Sequence, residues 1–290
     1  MAPPTVLITS LGLMGGSLAA ALTRAGWPVL LHHRRPEVAM QAEELGYGRQ
    51  VTDLPTSLAR ADLCVVCTPV GIIADTVRTL AALSPRPVFT DVGSVKGSVC
   101  AALADLGAAG RFVGSHPMAG SHLQGLVHAK ANLYHDCLTV VTPLPGTPEP
   151  AVALVERLWQ TVGSRLCRLA PVIHDDAVAT ASHLPHILSA TAAAGLDQTA
   201  APLASSGFRD TTRVAAGSPD LWADILLHNR DAIRQRLTAD LAHLGALDAA
   251  LAKGDVAALR AWLELGREGR LRFERHYPLG DDEADNNDEG

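Results

Sequence analysis

Apolar residues follow two different rhythms along this chain, and the change between them falls near Pro171. Before it, short unbroken apolar runs alternate with longer stretches of helical period. Residues 5–9, 28–32, 63–68, 88–91, 112–115 and 138–142 read as strands. Residues 15–25, 36–45, 72–83 and 149–162 read as helices, the first two stopped by Gly26 and Gly46. Strand–helix alternation predicts an α/β unit with a mostly parallel sheet covered on both faces. After Pro171 the strand-like runs stop. Ala/Leu-rich segments at 173–198, 221–251 and 256–277 predict an all-α region, broken near Lys253-Gly254-Asp255. The expected division is 1–171, 172–278 and a tail at 279–290.

Charge sharpens the reading of the tail. The net charge is −6, yet the last ten residues hold six acids and no base. Without them, acids and bases balance at 24 each, so the body offers no electrostatic footing for nucleic acid. The tail, short of apolar residues and rich in charge, is expected to be disordered. The rest, 290 residues at 48% hydrophobic, is ample for two cores. No basic-then-apolar leader opens the sequence and no run reaches the ~18 apolar residues of a membrane span, so no membrane association and a cytoplasmic location are expected.

Five cysteines are too few and too odd in number for a disulfide framework. Cys64 and Cys67 spell C-x-x-C, but they lie in an apolar strand-like run, where residues three apart face opposite ways. A packing role is expected for both, and no metal site.

Chemistry enters at the first turn. Ser10-Leu11-Gly12-Leu13-Met14-Gly15 follows the first strand and opens the first helix, fitting G-x-G-x-x-G with serine in the first place. Gly12 would let a pyrophosphate approach the backbone, and Gly15 would let helix and strand pack closely. The helix N-terminus then presents free amides to the anion. A Rossmann-type dinucleotide-binding unit follows, with Gly12, Leu13, Met14 and Gly15 as cofactor residues, joined by Thr68 and Pro69 after the third strand. The acid expected after the second strand is replaced by His33, Arg34 and Arg35. An acid there would hold a ribose 2′-hydroxyl, whereas arginines suit a 2′-phosphate. NADP is therefore favoured over NAD, against the plainer alternative of a solvated basic loop.

Three later segments carry more. Thr90-Asp91-Val92-Gly93-Ser94-Val95-Lys96 and Gly114-Ser115-His116-Pro117-Met118-Ala119-Gly120 both follow strand-like runs, so both are expected at strand carboxyl ends. The third is His174-Asp175, Ser182-His183-Leu184-Pro185-His186, Gly207-Phe208-Arg209-Asp210-Thr211-Thr212-Arg213 and Trp222. Together these phrases, in this order from about Val6 to Asn229, resemble the prephenate/arogenate dehydrogenase family of tyrosine biosynthesis.

The resemblance implies a two-domain enzyme without a fused mutase or regulatory domain. It implies oxidative decarboxylation of prephenate to 4-hydroxyphenylpyruvate, or of arogenate to tyrosine, with hydride passed to NAD(P). It gives His116 the role of catalytic base toward the ring hydroxyl, suited by an imidazole pKa near neutrality. It sets Ser94 beside the nicotinamide, orienting His116. Arg213 would grip a substrate carboxylate with its planar fork. Arg209, His174, His183, His186 and Trp222 would line or support the same cleft. Arg209 and Arg213, four apart, would share a helix face. Many prephenate-preferring members carry an acid where this chain has His122, and a serine where it has Gln124; some arogenate-using members resemble the Gln-Gly version. His122 and Gln124 are thus expected to bear on substrate choice.

Two other readings stay open at this level. A 3-hydroxyacid dehydrogenase would share the nucleotide fold, but it needs a lysine that Ser182-His183-Leu184-Pro185-His186 lacks. A nucleotide-sensing dimer without turnover would need none of the Ser94, His116 and Arg213 set. An aromatic-poor all-α half is expected to bury its apolar faces in a homodimer.

Overall fold

The first strand shows how the sheet is built. In the computed structural model, which describes residues 2–120 and 123–276, β1 (Val6–Thr9) is buried along its whole length. It is flanked in parallel by β2 (Val29–His32) and by β4 (Leu63–Val66), with Val6 opposite both Val29 and Leu63. The edges are β3 (Arg49–Gln50) and β5 (Val88–Asp91), giving a five-stranded parallel sheet of order β3-β2-β1-β4-β5. Alternate residues serve opposite faces, as strand pleating requires. Val6 and Ile8 join one core with Leu18, Leu22 and Trp159, whereas Leu7 joins another with Cys64, Val66, Ile73 and Phe89.

Helices cover both faces. Helix α1 (Leu13–Arg24) and α2 (Pro36–Glu44) are followed by α3 (Leu54–Arg60), started by an Asp53 cap on the Thr56 amide. Helix α4 (Val70–Leu83) buries Val70, Ile73, Val77 and Leu80, a spacing that keeps one stripe against the sheet. Two short helices, α5 (Gly97–Ala102) and α6 (Ala104–Ala108), lead to a second sheet. Its strands are β6 (Gly114–Pro117), β7 (Leu138–Thr142) and β8 (Arg165–Arg168), β6 antiparallel to β7 and β8 parallel to it. Phe89 bridges Phe112, so this sheet extends from the β5 edge, and α7 (Glu149–Thr161) crosses from β7 to β8.

From Pro171 onward the chain is helical: α8 (Pro171–Val178), a wide π turn at Ala179–His183, and α9 (Leu184–Ala194) run on without a gap. Next come α10 (Ser206–Thr212), a 3-10 turn at Arg213–Ala216 and α11 (Pro219–His228). The chain continues in α12 (Arg230–Lys253) and α13 (Val256–His276). The architecture is the expected α/β half with an all-α continuation. By packing, the described residues separate into two units, one ending at Ile233 and the other beginning at Arg234, so α8 to α11 pack with the sheets. In the second unit, Trp262 stacks on His243 at 4.8 Å and donates to its carbonyl. The expected tail at 279–290 lies outside the described residues.

Three expectations need adjusting. The apolar stretch 221–251 is two helices, broken at Asn229. Strands β3 and β8, polar and short, escaped the hydrophobic pattern. His116 stands within strand β6 rather than in the turn after it. The cysteines follow expectation: all five are free, and Cys64 and Cys67 pack into opposite cores.

Candidate active site

The turn after β1 is shaped by Ser10, which takes a left-handed conformation at φ 69°. A glycine would adopt it without strain, which explains why the first glycine of the motif exists. A β-carbon on Gly15 would fall on the Ser10 carbonyl, so α1 packs tightly only with glycine there. Gly12 is the reverse case: no atom lies within 4 Å of where its β-carbon would stand. Gly12 also stands at the cap position of α1 and leaves the first amides of that helix without a side-chain acceptor. Across the point where strand order reverses, the Thr68 hydroxyl is buried without a partner, and Pro69 begins α4. An open backbone cradle, uncapped amides and an orphan hydroxyl at the switch point fit a dinucleotide.

At the end of β2, His32 bonds Thr9 through its ring at 2.8 Å, and the Arg35 amide donates to His33 Nδ1 at 3.0 Å. Arg34 and Arg35 are exposed, and neither forms an ion pair with a described residue. Burial first, then Arg35 and Arg34, lower the His33 pKa, so this corner carries two arginine charges and a neutral ring.

The next two segments interlock. Asp91, at the end of β5, is fully buried and paired with the fully buried Lys96. Its other contacts are the amides of Gly93 at 2.9 Å and Ser115 at 3.2 Å. Lys96 Nζ also donates to the Ser115 carbonyl at 3.0 Å. The Ser115 hydroxyl donates to the Asp91 carbonyl at 2.6 Å and accepts from Trp159 Nε1 at 3.0 Å. This network locks β6 to β5 and thereby fixes the next residue, His116. Ser94 is half-buried in the intervening loop, with no hydrogen bond to His116. The hydrogen-bond partner of the His116 ring is His174, whose Nε2 lies 2.9 Å from His116 Nδ1.

Helix α8 brings His174 in. It has no exposed surface, and its second nitrogen, Nδ1, is 2.8 Å from Asp175 Oδ1. Both ring nitrogens are thus engaged with other side chains. The Asp175 carboxylate also accepts from the amides of Lys96 and Gly97, each at 2.7 Å. Asn229, at the break between α11 and α12, donates to the Asp175 carbonyl at 2.8 Å and meets His183 Nδ1 at 3.1 Å. Trp222 closes the group: its ring stacks on His186 at 3.5 Å and meets His183 edge-on at 6.2 Å. Asp91, Lys96, Asp175 and Asn229 were not singled out as site residues. Buried charge at a strand end and an asparagine inside an apolar helical stretch were the available signals.

Electrostatics hold His116, His183 and His186 neutral at pH 7. Burial chiefly, then His174, Lys96 and His183, push His116 well below its ordinary value. Burial takes His183 down to about 4, and lowers His186 as well. Among the described residues, no three His, Cys, Asp or Glu side chains are grouped to hold a metal ion. No described helix is long and apolar enough to cross a membrane.

The arginines stand apart from the buried cluster. Arg209 is exposed and paired with its neighbour Asp210 at 3.0 Å. Helix α10 ends at Thr212, so Arg213 opens a 3-10 turn and the shared-helix-face argument does not hold. Arg213 is exposed and has no ion pair with a described residue. The same turn ends at Gly217, where a β-carbon would strike Trp222 and His186, so it packs directly on the stacked pair. Gln124 is exposed; His122 lies outside the described residues.

A nucleotide cradle at the switch point, a buried histidine network and exposed arginines free of ion pairs at the end of β2 and on the turn packed against His186 and Trp222 define a nicotinamide-dependent oxidoreductase. Residues 18–168 match the family model described as prephenate dehydrogenase, nucleotide-binding domain, and residues 170–265 the one described as prephenate dehydrogenase, dimerization domain. The chain belongs to the prephenate dehydrogenase family. It is 33% identical to cyclohexadienyl dehydrogenase of Zymomonas mobilis, over 94% of this chain and 97% of that one. Among solved structures it resembles Aquifex aeolicus prephenate dehydrogenase in complex with hydroxyphenyl propionate and NAD+ (TM-score 0.85, 27% identity, 94% and 99% covered). It also resembles Synechocystis arogenate dehydrogenase (TM-score 0.81, 32% identity, 93% and 99% covered).

Proposed function

We propose that this protein oxidatively decarboxylates prephenate to 4-hydroxyphenylpyruvate, with NADP favoured over NAD. The observation that carries the reading is His116, a neutral, nearly buried imidazole fixed on β6 between the Lys96–Asp91 pair and His174. A neutral ring is a proton acceptor in a place where charge is otherwise costly. It takes the proton of the substrate ring hydroxyl as hydride leaves the same carbon. The bound nicotinamide supplies the hydride acceptor, and loss of the ring carboxylate as carbon dioxide makes the product aromatic.

The remaining roles follow from chemistry and position. Gly12, Leu13, Met14 and Gly15 hold the pyrophosphate, Thr68 and Pro69 the adjoining cofactor edge, and Ser94 the nicotinamide side. Arg34 and Arg35, with His33, take the 2′-phosphate, since both guanidinium groups are uncommitted. Arg213 binds a substrate carboxylate. Its exposure, its freedom from ion pairs and its place on a turn packed against His186 and Trp222 support this. Arg209, already paired, adds positive charge at the rim. His183, His186 and Trp222 form the wall. A homodimer through the helical half is supported by the described dimerization domain and by exposed Leu188 and Leu227 on α9 and α11.

Arogenate is the second reading, favoured by Gln124, by His122 in place of an acid, and by the likeness to the Synechocystis enzyme. A two-by-two assay decides: prephenate and arogenate, each with NAD and NADP. Faster turnover of prephenate with NADP is expected. Turnover of arogenate alone would move the substrate assignment, a clear NAD preference would remove the role of Arg34 and Arg35, and no turnover at all would overturn the reading.

A further inference from the structure

The Asp175 carboxylate only accepts hydrogen bonds, so the proton between it and His174 Nδ1, 2.8 Å apart, resides on the histidine. Asp175 is held in place to receive it, since Lys96 and Gly97 donate their amides to its two oxygens at 2.7 Å each. A single proton on His174, at Nδ1, leaves its Nε2 bare. The only atom offered to that lone pair among the described residues is His116 Nδ1, at 2.9 Å. His116 must then carry its own proton on Nδ1 and present a bare Nε2.

We propose that His174, anchored by Asp175, is a positioning residue that fixes the His116 ring in the tautomer whose Nε2 is free to accept a proton. The proposal rests on the functional reading above and deepens it. An unassisted imidazole side chain favours its proton on Nε2, which would leave His116 with nothing to accept a proton on that side. The hydrogen bond made by one ring nitrogen decides which form the ring takes. Proton bookkeeping is simple: the substrate hydroxyl proton moves to His116 Nε2, and Nδ1–H stays on His116 throughout. The imidazolium so formed donates from Nδ1 to His174, whose own Nδ1–H points at the Asp175 carboxylate. The charge that develops on His116 is thereby met by a chain of oriented dipoles ending in an anion. Lys96, after β5, opposes that charge, while His183, on the π turn, is neutral at pH 7. Asp175 offsets the lysine through His174.

The geometry leaves His174 no alternative task. It has no exposed surface with which to touch a substrate, and its ring meets His116 edge-on at an interplanar angle of 75°. Asp175, by contrast, also holds the start of α5, so its replacement would disturb the backbone. His174 is the better residue to change.

The test uses full-length protein labelled with 15N-histidine, and two-bond proton–nitrogen correlation to read the His116 tautomer, assigned by its loss in His116→Asn. In the wild type, a protonated Nδ1 and a bare Nε2 are expected. In His174→Phe, which keeps ring shape but removes the acceptor, the proton should move to Nε2. With prephenate and NADP, kcat should fall about 10- to 100-fold with both KM values little changed. His174→Gln, whose amide oxygen reaches the place of Nε2, should restore the Nδ1–H form and most of kcat. A wild-type His116 with its proton on Nε2 overturns the proposal without any variant having to fold. So does wild-type kcat in His174→Phe, or His174→Gln no better than His174→Phe. Absence of wild-type turnover would instead defeat the functional reading, because the tautomer is measured without substrate.

Discussion

Asp224 on α11 accepts a hydrogen bond from the backbone amide of Gly71, at the first turn of α4, with Oδ2 and N 3.1 Å apart. It links the helical region to the helix that follows β4, and it supplies an acceptor to a helix N-terminus that has no cap of its own. A β-carbon on Gly71 would stand 2.7 Å from Asp224 Oδ1 and 3.0 Å from His228. Gly71→Ala should therefore lose about 1–3 kcal/mol despite alanine's better helix propensity. Asp224→Ala should lose about 1 kcal/mol, the bond being near the surface. Urea unfolding of both variants checks this, and a stabilised Gly71→Ala would show that the contact yields freely.

Ser10 holds a left-handed backbone that costs an L-residue about 1–2 kcal/mol. Glycine removes that cost but enlarges the unfolded ensemble. Ser10→Gly should come out ahead by up to about 1 kcal/mol, with cofactor affinity unchanged or improved. Lower stability by chemical denaturation would mean that the serine side chain contributes something the strain argument omits.

Lys96→Met tests the buried pair. Removing the ammonium leaves the Asp91 carboxylate in the core with only amide partners. A loss on the order of 3–5 kcal/mol is expected. Thermal unfolding with an unchanged midpoint would mean that Asp91 takes up a proton at little cost.

For the chemistry itself, His116→Asn should lower kcat by about 10²–10⁴-fold while leaving NADP affinity intact. Fluorescence titration of the cofactor beside steady-state kinetics separates the two. Turnover near the wild-type rate would place the base elsewhere.

Acid should weaken the fold through its buried histidines. His183 has a folded pKa of about 4 against 6.5 for an exposed ring, and His116 is displaced in the same direction. A depressed folded pKa means that the unfolded chain binds more protons in this interval. The contribution is fully present above about pH 6.5 and is lost as pH falls toward 4. For His183 it amounts to a few kcal/mol, on the order of the shift itself. Urea midpoints between pH 7.5 and 4.5 should fall steadily, and His183→Phe should flatten the slope. A flat wild-type profile would count against neutral burial.

Much of this was legible in the chain because apolar periodicity is a local signal. Strands β1, β2, β4 and β5 are unbroken apolar runs, and the Gly-rich turn lies where one gives way to a helix. The second sheet was harder. Strand β8 is Arg-Leu-Cys-Arg at a sheet edge, and β3 is two polar residues, so neither leaves a hydrophobic trace. His116 and His174 were found by their motifs, but the residues around them were not, because Asp175, Lys96 and Asn229 are tied into the cluster through bonds spanning 46 to 79 residues. Asn229 reads as an ordinary helical residue until the helix is seen to stop there and its amide to serve two acceptors. Arg213 was placed on a helix by spacing, and the backbone tightens into a 3-10 turn at that residue, something periodicity cannot register.

The π turn at Ala179–His183 bears on all of this. Nine residues separate His174 from His183, so on an uninterrupted α-helix their side chains would diverge by about 180°. A π turn behaves as one surplus residue and reduces the divergence to about 80°. Deleting a single residue there would turn the π turn into ordinary α-helix and keep that phase, whereas straightening it at full length would turn His183 from Asn229 and part His186 from the indole it lies against. Helix phase, and not only residue identity, is thus written into the spacing between the two histidine motifs.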